Sequence, residues 1–158
     1  PAGSGGGFDA KSVNPLDWVI VGCAVLGLIF TYVSYYTYHG YTQGGGFFGF
    51  LAWVLGFVGA AAILVPAFMP TLSLPLPPRL IGLGAFGLAT LITLLKLLLR
   101  PTYGGCVLSY CAHITVSVGL GWFVCLLAYV GGTVLSLMRL QATGGQLPGG
   151  LNKLPKIG

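Results

Sequence analysis

The sequence predicts an all-α integral membrane bundle of four transmembrane helices with both termini cytoplasmic. Only 6% of the 158 residues are charged, against about 25% in an ordinary soluble domain, so a water-facing shell cannot be built. Four apolar stretches, at about 17–37, 47–69, 79–99 and 112–138, reach the roughly 20 residues a helix needs to cross ~30 Å of hydrocarbon. The seven Lys/Arg and two Asp sit at or between the ends of those stretches. One membrane domain, residues 14–140, is expected between a flexible Gly-rich segment, 1–13, and a flexible basic tail, 141–158.

Asn14, Pro15 and Asp17 spell the start of the first helix. An Asn can cap, Pro suits the first helical position, and an acid three residues after the cap sits near the positive end of the dipole. Asp17 is therefore read as a helix-start residue rather than a proton carrier. At the other end, Tyr32, Tyr35, Tyr36, Tyr38 and Tyr41 form an aromatic cluster, since tyrosine favours the membrane interface. Part of that cluster is a candidate docking face for another protein.

In the second helix small residues recur every fourth position, at Ala52, Gly56 and Ala60. Pro66 and Pro70 bracket its end, and Pro75, Pro77 and Pro78 stiffen the link to the third. The fourth segment carries two such stripes, Ser117, Gly121, Cys125 and Ala128, Gly132, Ser136. Small faces allow close helix approach, which in lipid replaces the hydrophobic effect as the force between helices. These faces are expected to be buried, by packing within the bundle or against a partner.

Orientation follows from the cations. With both termini inside, Lys11, Arg79, Arg139, Lys153 and Lys156 are cytoplasmic and only Lys96 and Arg100 are outside, the bias that favours this topology. Lys96 and Arg100 lie one turn apart, where a cation suits the helix C-terminus and can snorkel to headgroups. The same scatter at segment ends fits lipid headgroups and gives no groove for nucleic acid.

Cys106 and Cys111 then face the exoplasmic side, and the four-residue gap after Gly104 and Gly105 makes them a candidate disulfide. Cys23 and Cys125 fall within apolar helices as small hydrophobes. A membrane thiol–disulfide oxidoreductase or redox carrier is the alternative reading, although such enzymes need a second, Cys-x-x-Cys pair that this chain lacks. His113, with His39 from the other loop, invites a zinc reading of the cysteines; a boundary histidine is the plainer one. No catalytic, cofactor-binding or metal-binding residues are assigned, because there is no carboxylate in mid-membrane and no acid beside His113.

The stretch NPLDWVIVGCAVLGLIFTYVSYYTY (14–38), with its Gly-rich leader and basic Pro- and Gly-containing tail, resembles the small four-span envelope proteins of actinobacteria, mycobacteria among them. Within that group it is similar to the accessory membrane subunit of Mce-type lipid-import complexes. The resemblance implies a non-enzymatic accessory or regulatory subunit that binds and stabilises a larger lipid-transport complex in the bacterial inner membrane. It implies no cofactor and carries over no functional residue, because that group has no catalytic motif.

Overall fold

The computed structural model describes residues 13–39, 41–69, 76–99, 102–107 and 110–142, with 102–107 and 110–115 described by backbone alone. Four long helices carry the fold: α1 (Pro15–Tyr32), α2 (Gly46–Phe68), α3 (Pro78–Leu98) and α4 (Leu120–Ala142). Each is long and apolar enough to cross a membrane, so this is a polytopic membrane protein with an α-helical bundle. Helices adjacent in sequence pack on one another, and α1 also packs on α4, closing a ring of four. The bundle therefore has two ends: α1 and α3 begin at one, and α2 and α4 begin at the other.

Local chemistry sets the helix starts. The Asn14 side chain accepts from the Leu16 amide at 2.9 Å, and Pro15 occupies the first turn of α1. At α3, Pro77 precedes the helix and Pro78 opens it, a position where the missing N–H costs nothing. Pro66 lies inside the last turns of α2, and the helix closes two residues later with the Met69 amide on the Val65 carbonyl at 2.7 Å.

Two helix boundaries differ from the hydropathy reading. The first helix stops at Tyr32 rather than 37, and the fourth begins at Leu120 rather than 112. Tyr36–Tyr38 (β1) and Tyr41–Gln43 (β2) form an antiparallel hairpin, and Ser117–Val118 (β5) pairs with β1, giving the order β2-β1-β5. Thr102–Val107 (β3) and Tyr110–Thr115 (β4) form a second hairpin. Both mis-assigned segments are apolar but rich in aromatic and β-branched residues, which suit a pleated strand better than a helix. Ser117, expected on a helix stripe, is instead exposed in β5 and opposite Thr37.

These strands cap one end of the bundle, hereafter the sheet end. The chain leaves α1 through Ser34, whose φ of +50° is left-handed, and the turn is secured by bonds from Gly121 N to Ser34 O (3.1 Å) and from Gly119 N to Tyr35 O (2.9 Å). A Cβ on Gly119 would overlap the Ser34 carbonyl, and one on Gly121 the Val33 carbonyl. Glycine at both places is what lets the start of α4 dock on the backbone that leaves α1. The leader, the tail beyond Ala142, and Lys11, Arg100, Lys153 and Lys156 lie outside the described residues.

Candidate functional site

The small-residue faces have an occupant, and it is aromatic. Ala52, Gly56 and Ala60 on α2, and Gly121, Cys125, Ala128, Gly132 and Ser136 on α4, are all buried. Two rings fill the space they leave. Phe86 of α3, fully buried, sits where a Cβ on Gly132 would strike its ring and one on Gly59 would lie 3.0 Å from it. Tyr129 of α4, also fully buried, covers Gly27 and Gly56, whose added Cβ atoms would lie 2.5 and 3.0 Å from it. Gly56 and Gly132 of the stripes thus serve, with Gly27 and Gly59, as sockets for aromatic side chains of the same chain, while Gly121 rests on the backbone that leaves α1, and shape complementarity takes over from the missing hydrophobic contrast with lipid.

Around Tyr129 the core turns polar but stays neutral. Thr31 Oγ1 donates to the Gly27 carbonyl at 2.7 Å, and the Cys125 thiol reaches the same carbonyl at 3.4 Å. Trp122 Nε1 donates to the Thr93 carbonyl at 3.0 Å, tying α4 to α3, while Thr93 Oγ1 bonds back to Ala89 O at 2.8 Å. Each bond uses a donor that hydrocarbon could not satisfy. The cluster holds helices together and contains no group charged at neutral pH. A groove of about 340 Å³ between α3 and α4, lined by Gly87, Thr90, Leu91, Val130, Thr133 and Val134, is equally apolar. Its two threonine hydroxyls are occupied by the Phe86 and Tyr129 carbonyls.

The five tyrosines at the sheet end divide into two kinds, which corrects their reading as a single interfacial cluster. Tyr35 and Tyr36 are buried, at 1% and 2% exposure, with rings edge-to-face at 5.0 Å. Burial pushes the Tyr35 phenol above its usual range, so it stays protonated at physiological pH. Tyr32, Tyr38 and Tyr41 are exposed, Tyr41 at 80%. The Tyr32 hydroxyl accepts from Trp53 Nε1 at 3.1 Å, heading an aromatic file on α2 that runs through Phe50, Trp53 and Phe57. Register explains the split: Tyr36 pairs with Val118 inside the sheet, whereas Tyr38 lies at the hairpin turn opposite Tyr41.

Lys96, in the last turn of α3, lies over two rings, with Nζ 4.7 Å from the Phe48 centroid and 5.9 Å from that of Tyr36. Such a cation–π contact keeps the charge beneath the sheet. In the second hairpin Cys106 and Cys111 are register partners, and His113 stands opposite Gly104. The two-residue alternation of a strand puts all three on one face of the hairpin. Their side chains, like the proposed zinc ligation, lie outside what is described. Cys125 is buried and Cys23 half-buried within the helices, both as free thiols.

At the opposite end one ion pair joins the first helix to the last. Arg139 Nε and Nη2 donate to Asp17 Oδ1 and Oδ2 at 2.9 and 3.0 Å, with side-chain exposures of 15% and 10%. Arg79 Nη1 donates to the Arg139 carbonyl at 3.4 Å. Two of the residues assigned to topology are thus structural. Asp17 does sit in the first turn of α1, but its carboxylate also forms a bidentate clamp that the sequence reading missed. The only signal was an acid and an arginine at the ends of two segments, with nothing to say that those ends meet.

The fold and these contacts define a class: a four-span membrane bundle with a neutral, aromatic-filled interior, a charged clamp at one end and a small β-layer at the other. Comparison with protein families, characterised proteins and solved structures gives no match for this chain.

Proposed function

We propose that this chain is a non-enzymatic accessory or regulatory subunit of a larger cell-envelope transport assembly, a lipid permease by preference, in a bacterial inner membrane with both termini cytoplasmic. The observation that carries the reading is the sheet end. β2 is a terminal strand of its sheet, all three of its residues are exposed, and Phe47 beside it is 72% exposed. A short edge strand with aromatic neighbours is the kind of surface on which another chain adds a strand or packs a loop. The bundle interior gives the complementary argument. Phe86 and Tyr129 sit against Gly132 and Gly56, and among the described residues Thr31, Thr93, Trp122 and Cys125 are bonded within the chain while the Tyr129 and Ser136 hydroxyls are not, a packed and uncharged interior that suits support of the surface.

The test is purification from native membranes in mild detergent through a C-terminal tag. A permease recovered in stoichiometric amount is the expected result, and its loss from Tyr41→Asp, with the melting temperature unchanged, places the contact on β2. Recovery of the chain alone overturns the reading.

The hairpin favours a second, narrower statement. Opposed residues of an antiparallel pair lie about 4.5–5.5 Å apart at Cα, within the span a disulfide bridges. The register of Cys106 with Cys111 therefore supports an exoplasmic disulfide that staples the hairpin. It would also suit the single pair of a thiol–disulfide carrier, but no second pair adjoins it: Cys125 is fully buried and bonded to the Gly27 carbonyl. Maleimide labelling of intact cells is expected to modify Cys106 and Cys111 only after reduction. Labelling without reductant would remove both the staple and the redox reading.

A further inference from the structure

We propose that the clamp end of the bundle binds the phosphate group of an anionic phospholipid, with Arg79 as the residue that holds it. Three formal charges are described at this end, and their arrangement is unequal. The fork of Arg139 is committed to both oxygens of Asp17. Asp17 is the one acidic residue among those described, since the other aspartate of the chain, Asp9, lies outside them. Arg79 is therefore left with a backbone carbonyl as its partner, at the long distance of 3.4 Å. The clamp cancels itself, and among the described residues at this end one positive charge remains.

That charge is positioned rather than free. The carbonyl that receives Nη1 belongs to Arg139, whose side chain Asp17 fixes, so one donor of Arg79 is held against the end of α4. A guanidinium presents five N–H donors in a planar fork that matches phosphate oxygens, and among the described residues Arg79 spends one of them, on Arg139. Arg79 is also the second residue of α3, and the preceding Pro77 supplies no side-chain cap. Arg79 thus stands at the positive end of a helix dipole, where an anion is favoured and a lone cation is not. The guanidinium is the site; the helix end only adds to its sign.

Position selects lipid as the source of the anion. The ends of transmembrane helices lie at headgroup depth, and the residues flanking the α2–α3 connection are large, apolar and exposed: Phe68 at 52%, Met69 at 58% and Leu76 at 53%. A phosphodiester on Arg79 with acyl chains along this apolar rim satisfies both surfaces at once, whereas free phosphate would satisfy only the first. Charge separates lipid classes in the same way. A zwitterionic headgroup brings its own cation toward Arg79, and an anionic one does not.

The experiment uses the full chain in a neutral detergent. Phosphatidylglycerol, phosphatidylcholine or inorganic phosphate is added, and bound lipid is counted by native mass spectrometry beside the melting temperature. The expected result is retention of phosphatidylglycerol, with a rise in melting temperature that high salt abolishes. Arg79→Gln, which keeps a donor for the Arg139 carbonyl, is expected to weaken retention about tenfold, and Arg79→Lys to weaken it less. Equal retention of phosphatidylcholine, an equal effect of inorganic phosphate, or undiminished binding by a folded Arg79→Gln protein would each overturn the proposal. Should Arg79→Gln fail to fold, the salt response of the unaltered chain decides: a phosphatidylglycerol effect that does not fall with salt refutes it.

Discussion

Gly132→Val is expected to destabilise the bundle by about 3 kcal/mol, the upper part of the range for forcing extra atoms into a packed interior. Any Cβ at this position meets the ring of Phe86, with Cε1 at 2.6 Å and Cγ at 3.0 Å. The ring has nowhere to go, since it is fully buried and pressed on its other side by Gly59. Thermal unfolding in micelles measures the loss. The companion variant Phe86→Leu leaves a cavity and lowers stability on its own, yet it removes the atoms that collide. The double variant is therefore expected to be more stable than Gly132→Val alone, a coupling that distant sites do not show. A Gly132→Val protein that melts like the unaltered chain would mean that Phe86 is not seated on α4.

The second large effect is expected from Asp17→Asn. Both partners of the clamp are less than one-sixth exposed, so the substitution leaves Arg139 desolvated and without its counter-charge, at a cost of about 3 kcal/mol. Replacing the pair by two apolar residues of similar size is expected to cost less than removing Asp17 alone, because no uncompensated charge remains. Exchanging the charges, Asp17→Arg with Arg139→Asp, should recover only part of the loss. Asp17 lies in the first turn of α1 and Arg139 in the last turn of α4, so the exchange sets both charges against their helix dipoles. Chemical or thermal unfolding of the four proteins in one detergent distinguishes these outcomes. Equal stability of Asp17→Asn and the native chain would show the pair to be energetically idle.

The helices were legible because lipid imposes a long apolar run, and the cap at Asn14 because its reason is local. Their ends were less so. Val33 to Tyr38 and Ala112 to Val118 carry no formal charge and continue the uncharged runs of the helices beside them, and such a run does not separate a strand over the bundle from a helix within it. Small residues marked a buried face, but their spacing carries no information about what lies on it. Phe86 and Tyr129 are ordinary aromatics in apolar segments until the ring of helices closes around Gly132 and Gly27. The tyrosine cluster failed for the same reason: Tyr32 and Tyr35 are three residues apart and equally suited to an interface, and only the turn at Ser34 sends one out and the other in. The clamp spans 122 residues, a separation over which no local pattern speaks.

That separation has a consequence for how the protein is made. Asp17 is synthesised with α1, and its counter-charge follows only 122 residues later, in the last turn of α4. Throughout that interval the carboxylate lacks its guanidinium partner, and α1 lacks the face of α4 on which it finally rests. The clamp between α1 and α4 thus closes only once Arg139 has been made, and a nascent chain broken off before it carries Asp17 without that counter-charge.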